Sequence, residues 1–65
     1  MKPHEERVVI EKKELDAKRE RLAAFFSSGV FPALDKAERD QLHRQLEAMD
    51  LYSKILGERI KGFPP

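Results

Sequence analysis

At 65 residues, with 13 Lys and Arg against 12 Asp and Glu and no cysteine, the chain has room for one small domain. It can form neither disulfides nor thiolate metal sites. Charged residues make up 38% of it, against a usual share of about 25%, and the net charge of +1 argues against a strong nucleic-acid binder, which needs a basic excess.

The stretch Met1–Arg7 is polar and has no apolar run, so it does not read as a signal peptide. Pro3 suits the first turn of a helix, where no amide donor is needed. From there to Ser28 the chain is rich in Glu, Lys, Arg, Leu and Ala and has no breaker, which predicts a helix over about residues 4–28. Its apolar content is thin. Val8, Leu15 and Leu22 recur every seven residues, but the charged run Glu11–Arg21 holds a single large apolar residue. Such a run reads as a solvated face, with Glu14 and Lys18 placed for an i,i+4 ion pair.

Ser27-Ser28-Gly29-Val30-Phe31-Pro32 signals a break, and the loop is expected over 29–34. The most apolar window, Leu22–Leu34, is interrupted and falls short of the ~20 residues that span a bilayer. Asp35, with Glu38 three residues on, forms an aspartate variant of the capping box and opens a second helix over about 35–61. Gly62 and Pro64-Pro65 close it, and Arg59 and Lys61 in its last turn suit the helix dipole. Gly57 is a weak helix former within it. Leu42, Leu46, Met49, Ser53, Leu56, Ile60 and Phe63 follow alternating steps of four and three, a heptad seam with one polar member, Ser53.

Two helices of similar length and a short loop predict an all-α antiparallel hairpin, coiled-coil-like, forming one domain over residues 1–65. The heptads set Leu22 against Leu42, Leu15 against Met49 and Val8 against Leu56. Phe25, Phe26, Val30, Phe31 and Leu34 are expected to plug the closed end, with His43 at the surface or the seam edge. Ala48, Leu51, Tyr52 and Ile55 lie beside the main seam and widen the apolar arc beyond what one thin helix can cover. The hairpin is therefore expected to self-associate, most simply as a two-fold dimer, or to form a higher helical bundle. The expected oligomer or partner interface comprises Leu51, Tyr52, Ile55, Leu56, Val9 and Phe63.

No glycine-rich phosphate loop and no nucleophile constellation is present. His4-Glu5 fails as a zinc-protease motif because Val8 stands where the second histidine belongs. The reading is a protein that is not an enzyme, without cofactor or metal. One chemical feature stands out. Lys12, Lys18 and Arg19 on the first helix, with Tyr52 and Arg59 on the second, are the equipment for holding an anion, a ring to stack on and cations for phosphates. The bland alternative makes Tyr52 an interface residue and pairs the cations with neighbouring carboxylates.

Glu6-Arg7-Val8-Val9, Glu11-Lys12-Lys13-Glu14-Leu15-Asp16 and Lys18, with Gln45-Leu46-Glu47-Ala48-Met49 and Tyr52-Ser53-Lys54-Ile55-Leu56-Gly57-Glu58-Arg59-Ile60, resemble a family of short, mostly uncharacterised helical proteins encoded by tailed phages and prophages. Gly57 departs from that pattern, where a better helix former is usual, which implies a looser turn. The resemblance implies an accessory protein of the bacterial host cytoplasm. By analogy with that class, it would bind and inhibit or redirect a host bacterial protein, in anti-defence or host takeover. An alternative is an oligomeric sponge for a cyclic nucleotide or similar anionic signal, and a second is a structural helical adaptor.

Overall fold

The computed structural model describes residues 1–65. Helix α1 runs Pro3–Phe25, a single 3₁₀ turn covers Phe31–Ala33, and helix α2 runs Lys36–Lys61. The two helices lie antiparallel as a hairpin measuring 48 × 15 × 14 Å. Neither is long and apolar enough to cross a membrane.

Each helix is capped as its end residues dictate. Pro3 occupies the first position of α1, and the carboxylate of Glu5 accepts the amide N–H of Lys2 at 2.8 Å, closing the first turn. Glu5 is buried by this arrangement. Asp35 caps α2, its side chain accepting the N–H of Glu38 at 2.8 Å. Gly62 ends α2 in right-handed backbone at φ −82°, so it serves the C-cap without using glycine's access to positive φ.

α1 stops three residues short of the expected Ser28. The Ser28 hydroxyl donates to the carbonyl of Phe25 at 2.7 Å, and the amides of Ser27 and Ser28 turn back to Ala24 and Phe25. Serine side chains compete for backbone carbonyls in this way and loosen a helix end. The loop therefore starts earlier than predicted. The expected Glu14–Lys18 pair does not form. The i,i+4 ion pairs are Lys12–Asp16 at 2.7 Å and Lys36–Asp40 at 3.0 Å.

The core is narrow. Val8, Leu15 and Leu56 are its buried apolar members, with Met49, Ile60 and Phe63 packed against them. Val8, Leu15, Met49 and Leu56, which the heptads set facing one another, thus lie in one cluster. At the closed end the ring of Phe31 stands edge-on to Phe25, Phe26 and His43, at centroid distances of 6.2, 4.7 and 5.5 Å. His43 stacks on Phe26 at 4.7 Å, so this seam-edge histidine completes an aromatic plug. Val30, expected in that plug, is instead 57% exposed. At the open end His4 meets Phe63 edge-on at 6.4 Å.

Candidate functional site

Midway along the hairpin the apolar seam gives way to a polar node. Ser53, the one polar member of the α2 seam, is buried. Its hydroxyl donates to Asp16 Oδ1 at 2.5 Å and accepts from Lys12 Nζ at 3.1 Å and Arg19 Nη1 at 3.4 Å. Lys12 and Arg19 also bind Asp16 directly, at 2.7 and 3.0 Å. Arg19 reaches across to Asp50 Oδ1 through Nε at 2.9 Å and Nη2 at 2.7 Å. A helical repeat brings Lys12, Asp16 and Arg19 onto one face of α1 at spacings of four and three. The antiparallel register then presents that face to Ser53 and Asp50.

The node is neutral, with two cations against two carboxylates. Hydrogen bonds from Lys12, Ser53 and Arg19, with the Lys12 charge, hold the Asp16 carboxyl down at about 2, against a smaller opposing effect of desolvation. The carboxylates of Asp50 and Asp16 push Arg19 above its ordinary value. At the start of α2, the ammonium of Lys36 lowers Asp40. Gly57 lies beside the node, and a Cβ there would meet the Cε of Lys12 at 3.4 Å.

These contacts separate the expected anion-binding residues. Lys12 and Arg19 are already partnered inside the hairpin, so an incoming anion would compete with Asp16 and Asp50 for them. Lys18 and Arg59 are exposed, and neither enters an ion pair. Tyr52 is 44% exposed and lies one heptad before Arg59 on the same face of α2. The surface has two shallow depressions, one lined by Ala37, Asp40, Gln41, His43 and Arg44, the other by Arg19, Glu20, Ala23, Leu46 and Asp50.

The expected interface residues also divide. Leu51 and Ile55 are exposed with Tyr52. Leu56, expected at the partner face, is completely enclosed by the hairpin itself, because it meets Val8 and Leu15 across the helix pair. Phe63 is half-buried and packs on the same core, and Val9 is half-buried at its edge. Asp16, Asp50 and Ser53 were not among the candidates from sequence. The signals available for them were a serine in an otherwise apolar seam and the Lys12–Asp16–Arg19 spacing.

The fold and node define a small all-α helical-hairpin protein. Residues 2–62 match the family model described as Sequestin, and the chain belongs to that family. No curated protein and no solved structure matches it.

Proposed function

We propose that this chain is a stoichiometric binding protein that sequesters a small anionic molecule rather than transforming one. The observation that carries the reading is the family match across residues 2–62, since the family's name denotes sequestration. The exposed chemistry of α2 supports it. Arg59 is unpaired and stands one heptad, about 10 Å, beyond the exposed ring of Tyr52. A guanidinium and a phenol ring at that span suit the phosphate and base of a nucleotide. The ligand in this reading is a cyclic nucleotide or similar signal. The resemblance to phage and prophage proteins supports an accessory factor acting in the cytoplasm of a bacterial host. Self-association belongs to the reading, because shallow depressions on one hairpin do not enclose a ligand as binding cavities do.

A second reading rests on the exposure of Leu51, Tyr52 and Ile55 as one apolar group. In it, that group binds and inhibits or redirects a host bacterial protein. Titration calorimetry of the purified protein against a panel of cyclic nucleotides, beside a pull-down from bacterial lysate, separates the two. Sequestration predicts saturable heat with one of the nucleotides, weakened at least about tenfold by Arg59→Ala, the loss expected for a charge-assisted hydrogen bond. No heat with any of them, together with a stoichiometric protein partner from lysate, overturns it in favour of the second reading.

A further inference from the structure

α2 presents a second seam to solvent. Gln41, Gln45, Ala48, Tyr52, Ile55 and Arg59 recur at steps of four, three, four, three and four, and every one is exposed. That spacing is the spacing of a coiled-coil core. It lies one residue, about 100°, around the helix from the seam that packs on α1. Leu51, at its rim, is 59% exposed, and Tyr52 and Ile55 are 44% exposed. The hairpin as a whole leaves 4995 Å² accessible, against about 4,300 Å² for a compact chain of its mass. Its radius of gyration is 15.0 Å, against about 11 Å for a compact domain of this length.

We propose that this seam packs antiparallel, about a two-fold axis, against the same seam of a second copy of the chain, with Tyr52 set over the partner's Ala48. Charge and size select the register. Two interlocking registers keep the apolar residues central. In one, Tyr52 meets the partner's Ala48, Leu51 meets the partner's Leu51 at the rim, and Arg44 meets the partner's Glu58 on both sides of the axis. In the other, Tyr52 meets the partner's Ile55, Arg59 is laid on the partner's Ala48, and Leu51 faces the partner's Glu58. The first sets Tyr52 against the small Ala48 and Ile55 against the partner's Gln45, whose amide reaches solvent past its stem, and joins opposite charges twice. The second strips water from a guanidinium and sets a carboxylate beside a leucine, and each costs free energy without a compensating partner.

The selected register also completes a site, and here it rests on the sequestering function proposed above. Arg59 of each copy arrives beside the partner's Gln41, over the depression lined by Ala37, Asp40, Gln41, His43 and Arg44. Asp40 in that depression is already paired with Lys36. The dimer then holds two equal anion sites, each built from both copies, and because Tyr52 gives its ring to the interface, each site holds the anion through Arg59 and not by stacking on Tyr52.

Sedimentation equilibrium of the full chain tests the pairing, with circular dichroism to confirm helicity. The wild-type protein is expected as a pair of 7.6 kDa chains at micromolar concentration. Arg44→Glu and Glu58→Arg should each weaken association at least about tenfold by placing like charges together twice, and the double variant should restore it. A wild-type protein that stays monomeric up to about 100 µM overturns the proposal. So does a dimer indifferent to Arg44→Glu, or a double variant no tighter than the singles. Calorimetry reports separately on the ligand. A dimer that takes up no anion keeps the pairing and removes the sequestering function. A monomer that binds one does the reverse. With both in place, Arg59→Ala lowers anion uptake at concentrations where sedimentation still shows the dimer, and Tyr52→Ala lowers both.

Discussion

The hydroxyl of Ser53 donates a hydrogen bond to Asp16 across the helix interface at 2.5 Å, 37 residues away in the chain. A heptad seam that elsewhere carries Leu, Met, Ile and Phe thus carries, at this layer, the hub of a polar network. The bonds from Lys12 and Arg19 to the same hydroxyl are directional, and they hold the two helices at one axial position in a way that apolar contact alone does not.

Restoring an apolar residue at the seam is therefore expected to harm the protein. Ser53→Ala removes the hydroxyl from Asp16, Lys12 and Arg19 and should lower the thermal midpoint by about 4–8 °C, the equivalent of one hydrogen bond in a domain of this size. Ser53→Leu should lower it further, since its larger side chain must displace the charged groups. Thermal unfolding followed by circular dichroism checks both. A higher midpoint for Ser53→Leu would show that the node does not hold the helices.

Acid should release the node. The carboxyl of Asp16 is held at about 2 in the folded chain, from an ordinary value of 3.8. Its folded value is depressed, so the unfolded chain takes up the proton first as pH falls. The contribution is complete above about pH 4 and is lost as pH falls through about 2. Asp40, lowered by Lys36, adds a loss of the same sign. Melts between pH 5 and 2 should show stability falling with acid, and Asp16→Asn should flatten that slope. An unchanged slope in the variant would count against this account.

Gly57 is expected to be replaceable with profit. It lies inside α2 in right-handed backbone, and an added Cβ would meet only the Cε of Lys12 at 3.4 Å, the far end of a flexible side chain. Gly57→Ala should stabilise the protein by about 0.5–1 kcal/mol through lower backbone entropy in the unfolded chain. Chemical denaturation measures this directly. A loss of stability would mean that Lys12 cannot shift without leaving Ser53.

The closed end depends on Phe31, whose ring touches three others. Phe31→Ala should cost about 1–3 kcal/mol, below the cost at a fully buried site because Phe31 is only half-buried. His43→Ala, which removes one stacked partner from an exposed position, should cost less. Urea unfolding of the two variants gives the order, and the reverse order would place His43 at the centre of the plug.

The helices themselves were legible because their signals are local. The Asp35 cap, the Pro3 start, the serine-glycine break and the alternation of four and three from Leu42 to Phe63 each involve residues within a turn or two of one another. The antiparallel pairing followed from the short loop and the recurrence of Val8, Leu15 and Leu22. What lay beyond reach was the fate of the charges and of the second apolar stripe. Lys12 and Arg19 looked available for an anion until the register set them against Ser53 and Asp50, which lie 31 to 41 residues away. Leu56 and Ile55 are neighbours of like character in the chain. One is completely enclosed and the other is left in solvent, because a residue step of about 100° turns only one of them toward α1. Local spacing determined that α2 carries apolar residues beside its main seam, and only the packing of α1 decided which of them were left open.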